Sequence, residues 1–166
     1  MLSFPFVIRP ELAADHASIE TLLDAAFGPG RFAKTAYRLR EGVPADLALS
    51  FVALAGMRLI GSVRLTAIRI GAAPALLLGP LAVHPDFEGR GAGRALVRSA
   101  LDAARADGHG LVLLVGDPPY YGPLGFAAVP PGQIALPGPV DPRRLLAAEL
   151  VPGAAAAARG MAARMG

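Results

Sequence analysis

Residues 75–101 read ALLLGPLAVHPDFEGRGAGRALVRSAL, and the order of their parts decides the fold. The first nine are continuously apolar, as a central strand covered on both faces requires. Glycines follow at Gly89, Gly91 and Gly93, and then an amphipathic helix over 92–107 with Leu96, Val97, Ala100, Leu101 and Ala104 on one stripe. A second apolar run, LVLLV at 111–115, completes a strand–helix–strand unit whose crossover makes the two strands parallel. Glycine costs roughly 0.5–1 kcal/mol against alanine inside a helix or strand, so three within five positions point to a backbone requirement.

Upstream, FPFVIRP (4–10) alternates enough to read as a first strand. Asp15 or Ser18 can cap a helix running to Phe27, with Ile19, Leu22, Leu23 and Ala26 on one face. Residues 31–41 read as a second helix. LALSFVALAG (47–56) and RLIGSVRLTAIRI (58–70) read as two strands joined in a hairpin. Downstream, DPPYYGPLGF (117–126) is a loop or short helical turn leading to a strand near 126–129. Then come QIALPG (133–138) as a candidate strand, DPRRLLAAEL (141–150) as a short helix, and an alanine-rich stretch to the last residue. The expected organisation is a single domain over 1–150 and an Ala-rich C-terminal tail over 151–166, with no internal repeat. The element order predicts an α/β fold: a mixed sheet with helices on both faces.

Composition narrows the function. Of 166 residues, 54% are apolar and 17% charged, the balance of a folded chain rather than a disordered one. The chain has no cysteine, which excludes disulfides, thiolate metal sites and a cysteine nucleophile. His16, His84 and His109 show no metal-ligand spacing, so no metal is expected. The stretch from Ile70 to Val83 lacks charge but is broken by glycine and proline and is shorter than the ~18–20 residues of a membrane span. The N-terminus has no basic region before its apolar residues, so the expectation is a cytoplasmic protein with no membrane association. Net charge is +3, with Lys34 the only lysine. The arginines are dispersed, which suits a small anionic ligand and not nucleic acid. The high apolar fraction leaves room for a homodimer.

A strand ending at Val83, a glycine turn and a helix N-terminus together present unpaired backbone N–H groups at the positive end of a helix dipole, which is an anion site. Glycine lets phosphate oxygens approach the backbone, and Arg90 and Arg94 add charge at the rim. The spacing fits neither familiar nucleotide loop. No G-x-x-x-x-G-K-(S/T) occurs, and the run is not G-x-G-x-x-G with an acidic residue about 20 positions on.

These stretches, with GHGLVLLVGDPPYYGPLGF at 108–126, resemble the GNAT superfamily of acetyl-CoA-dependent N-acetyltransferases, in its YhbS-like branch. The family's signature, (Gln or Arg)-x-x-Gly-x-(Gly or Ala), falls on residues 88–93, and the resemblance covers roughly residues 50–129. Glu88 stands where glutamine or arginine is usual, and a carboxylate beside a pyrophosphate is repulsive unless it points away. The resemblance implies a GNAT-like, mostly antiparallel sheet that splays between its fourth and fifth strands. It implies acetyl-CoA as cosubstrate, its pyrophosphate on the amides of Gly89, Arg90, Gly91, Ala92, Gly93 and Arg94. It further implies that the pantetheine arm pairs strand-like with Leu81, Ala82 and Val83. Gly79-Pro80 supports this independently, because proline cannot donate a ladder hydrogen bond and a bulge there would open a wedge.

In relatives, a tyrosine four residues before a Gly-Phe pair protonates the departing thiolate, and counting back from Gly125-Phe126 gives Tyr121 as the catalytic acid. Tyr120 is read as packing the loop. The asparagine that many relatives carry in this loop is absent, and Asp117 occupies its region. His84, Asp86, Asp117 and Glu41 are the candidate bases. The implied activity is direct acetyl transfer from acetyl-CoA to an amine; the alternative is a non-catalytic acyl-CoA-binding or regulatory module of the same fold. Arg31, Lys34 and Arg38 lie where an acceptor would enter and read either as an anion-favouring mouth or as a solvated helix face.

Overall fold

The computed structural model describes residues 5–28 and 35–165. Its strands are β1 (Val7–Pro10), β2 (Phe51–Ala55), β3 (Arg58–Ile70), β4 (Ala73–Val83), β5 (Leu111–Val115), β6 (Ala127–Ala128), β7 (Ile134–Ala135), β8 (Leu145–Glu149) and β9 (Gly160–Arg164). Its helices are α1 (His16–Phe27), α2 (Thr35–Arg38), α3 (Ala92–Ala106), α4 (Pro118–Tyr121) and α5 (Ala154–Ala157). The sheet runs β1-β2-β3-β4-β5-β8-β6, and β9 pairs with both β3 and β7. All pairs are antiparallel except β4–β5, closed by the α3 crossover, and β7–β9. This is the expected mixed, mostly antiparallel α/β sheet.

Alternation along the strands sends successive side chains to opposite layers. On one face Ile60, Val63, Leu76, Leu78, Val112 and Leu114 bury the α3 stripe, whose Leu96, Val97, Ala100, Leu101 and Ala104 all point inward as the periodicity requires. On the other face Val52 and Ala82 cover Ile19, Leu22 and Leu23 of α1. The helix starts directly after Asp15, but the Asp15 carboxylate does not cap it. It takes both terminal nitrogens of Arg9, at 2.7 and 2.9 Å, and the Leu12 N–H at 2.8 Å.

The C-terminal third differs from expectation. Residues 145–149, read as part of a short helix, form β8, which pairs with β5 from Leu111↔Glu149 to Val115↔Leu145. Leucine, alanine and glutamate are good helix formers, but propensity is a weak prior, and pairing with the free edge of buried β5 overrides it. Residues 151–166, read as a tail, contribute α5 and β9 instead. The reason is coverage. β2 pairs with β3 only as far as Val63, and β9 takes over that edge at Ile68, Arg69 and Ile70. Ala158 and Ala162 are buried against Ile68, Ile70, Leu111 and Leu113, the face that α1 does not reach. Ala162→Asp should therefore lower the unfolding free energy by about 3–5 kcal/mol, read as a fall in denaturation midpoint, because it places an unpaired carboxylate in a packed layer. Of the helix expected over 31–41, only α2 and the turn after it belong to the described residues; Arg31 and Lys34 lie outside them.

Candidate active site

The β3–β4 ladder runs in register from Ala73 to Leu78, then shifts, with Leu65 opposite Leu78 but Val63 opposite Leu81. Gly79 and Pro80 together stand opposite the single residue Arg64, so this bulge carries one extra residue. On its other side β4 pairs with β5 only at Leu76↔Val112 and Leu77↔Leu113. Past Leu77 the two parallel strands part, so the β5-facing edge of residues 78–83 has no strand partner among the described residues. The wedge expected from Gly79-Pro80 is present.

Two concavities meet along this edge. A groove of about 500 Å³ is lined by Leu81, Val83, Phe87, Glu88, Gly89, Gly91, Ala92, Gly93, Arg94 and Tyr120. A cavity of about 720 Å³ lies beyond it, with Leu78, Gly79, Pro80 and Leu81 of β4 on one wall and Val115, Gly116, Asp117 and Tyr121 on another. Leu81 borders both. Of the residues singled out in the sequence, Ala82 turns its side chain to the α1 layer, and Arg90 does not line the groove. The rest of the expected cosubstrate set does.

The three glycines are there for different reasons. Gly89 and Gly91 have φ of +75° and +91°, a region side chains disfavour, and a Cβ on either would enter open space. Gly91 is the N-cap of α3, and no side chain caps the helix there. The first-turn amides are therefore left facing the groove. Gly93 is constrained by packing instead: a Cβ would lie 2.5 Å from the Tyr120 hydroxyl and 3.6 Å from Val83. Arg94 stacks over the Tyr120 ring at 5.8 Å. Glu88 is exposed on the groove wall. Glu88→Gln should tighten binding of acetyl-CoA about two- to five-fold at low salt and less at high salt, because it removes an exposed like charge; titration calorimetry at two ionic strengths reads this.

Tyr121 ends α4, with its ring edge-on to Tyr120 at 4.8 Å and Phe126 at 5.7 Å. Its ring closes on Gly116, where a Cβ could not be accommodated. Burial, with smaller contributions from Tyr120 and Asp117, pushes its hydroxyl up to about 12, against an opposing pull from Arg144. The phenol is thus neutral, and a proton donor, throughout the physiological range. The adjacent Tyr120 faces the groove while Tyr121 faces the cavity, a separation that the YY pair alone could not reveal.

The candidate bases sort by place. Both ring nitrogens of His84 are engaged away from the cavity, Nδ1 accepting the Asp86 N–H at 3.1 Å and Nε2 facing Arg58 at 3.1 Å. Asp86 and Glu41 do not line the cavity; Asp117 does, 3.3 Å from Arg144. Sequence reasoning missed Glu20, Arg40, Asp141 and Arg144, which also line it. A signal existed for Glu20, since Glu20, Leu23 and Phe27 recur at helical spacing on α1 and all three border the cavity. The other three sit in turns and an irregular segment, where periodicity says nothing. Among the described residues, no group of three or more His, Asp or Glu could hold a metal ion, and no helix is long and apolar enough to cross a membrane.

The Acetyltransferase (GNAT) family matches residues 16–121 of the chain. The GNAT family N-acetyltransferase YhbS from Escherichia coli, solved in complex with CoA, superposes with a TM-score of 0.83 at 25% identity, covering 99% of this chain and 92% of that one. A GNAT family acetyltransferase from Brucella melitensis, solved in complex with acetyl-CoA, is 28% identical, with a TM-score of 0.62, covering 87% of this chain and 96% of that one. The ribosomal-protein-S18-alanine N-acetyltransferase from Escherichia coli shares the fold at 17% identity and a TM-score of 0.63, covering 88% of this chain and 94% of that one. No curated protein matches the sequence.

Proposed function

The chain belongs to the Acetyltransferase (GNAT) family, in its YhbS-like branch, and as an acetyl-CoA-dependent acetyltransferase we propose that it acts on an amine by direct attack. The observation that carries this reading is the continuity of the groove with the cavity along the unpaired edge of β4. The groove suits the phosphates of CoA at the amides of residues 89–94, with Arg94 at its rim. The pantetheine arm runs along Leu81, Ala82 and Val83 in the manner of a strand, and the thioester reaches the cavity at the Gly79-Pro80 bulge.

There the amine nitrogen attacks the thioester carbonyl. Backbone N–H groups of β4 stabilise the oxyanion, and holding the two reactants together supplies most of the rate. The C–N bond forms, the C–S bond breaks, and the nitrogen loses its proton to solvent. The departing thiolate takes the Tyr121 proton, which prevents it from attacking the new amide, and Tyr121 is reprotonated from solvent. An ordinary thiol has a pKa of about 8.5, well below that of the buried phenol, so the transfer depends on close placement.

Release of free thiol from acetyl-CoA across a panel of amines tests the reading, with CoA affinity measured separately by calorimetry. Thiol release that depends on an amine supports it. Tight CoA binding with no release for any amine would return the protein to the non-catalytic acyl-CoA-binding alternative.

A further inference from the structure

The cavity next to the β4 bulge is lined by three arginines and three carboxylates, but the ion pairs among the described residues leave one of those arginines over. Its three carboxylates each face an arginine: Glu20 faces Arg64 at 3.5 Å, Asp117 faces Arg144 at 3.3 Å, and Asp141 faces Arg143 at 3.2 Å. Arg64 is further held by both oxygens of Glu11, at 3.0 and 3.1 Å. Arg40, in the turn after α2, also lines the cavity and has no carboxylate partner among the described residues. Its guanidinium rests 5.9 Å from the Tyr37 ring centroid; Tyr37 is the ionisable neighbour that acts on it most, and Arg64 repels it less strongly. Burial lowers its pKa to about 10, which still leaves it charged at neutral pH.

A half-buried, charged guanidinium with no carboxylate partner among the described residues gains from an anion that joins it. Its position indicates what that is. Arg40 Nη1 approaches Gly79 so closely that a Cβ there would lie 2.9 Å away. The cation therefore reaches the bulge, the point at which the reading above places the thioester. An anion held by Arg40 would be only a few bonds from the attacking nitrogen, and the planar fork of arginine matches a carboxylate with two parallel hydrogen bonds.

We propose that Arg40 anchors a carboxylate on the acceptor, and that the substrate class is an amine of amino-acid type, with its carboxylate a few bonds from the nitrogen. This rests on the acetyl-transfer reading, and the test separates the two. Amino acids and their matching carboxamides are compared as acceptors by thiol release, with the wild-type protein, Arg40→Met and Arg40→Lys. In parallel, CoA-loaded protein is titrated calorimetrically with N-acetyl amino acids and with their amides, which needs no turnover.

The wild-type protein should favour carboxylate over carboxamide, and Arg40→Met should bring the ratio of the two kcat/KM values toward unity, a loss of about 10²-fold, as for a charged hydrogen-bonded pair. Arg40→Lys, which keeps the charge without the fork, should retain part of the preference. The melting temperature of Arg40→Met should not fall, since an unpaired charge has been removed. A wild-type enzyme indifferent to the carboxylate overturns the anchor while leaving acetyl transfer standing. So does an Arg40→Met variant in which both acceptor series decline together. Arg40-dependent binding of N-acetyl amino acids without thiol release from any amine would sustain the anchor and overturn the transfer reading.

Discussion

Tyr121→Phe is expected to lower turnover by about 10²–10⁴-fold while acetyl-CoA affinity stays nearly constant. The substitution keeps the ring against Phe126 and Gly116 and deletes only the hydroxyl of a residue that lines the cavity. Tyr120→Phe should cost far less turnover, because that hydroxyl lies at the groove, beside Gly93. With the phenol pushed up to about 12, its ionisation cannot cause a fall in rate below about pH 10, so a wild-type profile with no decline from pH 8 to 10 is the expected form. The same shift has a stability counterpart. Unfolded, the phenol ionises near pH 10; folded, near 12; the native state therefore holds the extra proton between them. Stability should be unaffected below about pH 10 and fall as the pH rises from there toward 12, by about 2–3 kcal/mol in full, and Tyr121→Phe should flatten that decline. Undiminished turnover in Tyr121→Phe, with chemistry limiting the rate, would assign thiolate protonation to water.

Gly91→Val should weaken acetyl-CoA binding by at least about tenfold. Two effects act together. At φ +91° a β-branched residue is strained, costing roughly 1–2 kcal/mol. Its side chain would also stand in open space at a residue that lines the groove, where a phosphate must approach the backbone. Gly108→Val separates these effects. Gly108 follows the other end of α3, has φ +85° and likewise has no atom within 4 Å of an added Cβ, but does not border the groove. Both variants should lose similar stability in denaturation, and only Gly91→Val should lose affinity. Equal affinity for CoA in the two folded variants would remove the cradle from residues 89–94.

Much of the site is legible in the sequence because its signals are local. Apolar runs at 75–83 and 111–115, with a 3.6-residue stripe between them, leave few ways to arrange a strand, a helix and a parallel strand. Gly79-Pro80 marks a bulge from proline's missing donor, and the ladder does shift there. The resemblance to relatives, through the spacing from Gly125-Phe126, singles out Tyr121 of the pair, and Tyr121 lines the cavity.

Tertiary structure decided what depends on distant partners. RRLLAAEL is made of good helix formers, yet its residues 145–149 become β8 because β5 needs an edge partner. An alanine-rich stretch looks like a tail until β9 is required to cover Ile68 and Ile70. Gly93 looks equivalent to Gly91 in the sequence, yet Tyr120, 27 residues on, sets its limit. Arg40 has nothing distinctive around it in the sequence. Its lack of a carboxylate partner among the described residues emerges only when the fold brings Glu20 to Arg64 and Asp117 to Arg144. Period and backbone chemistry determine which elements form, whereas charge balance and edge coverage belong to the assembled whole.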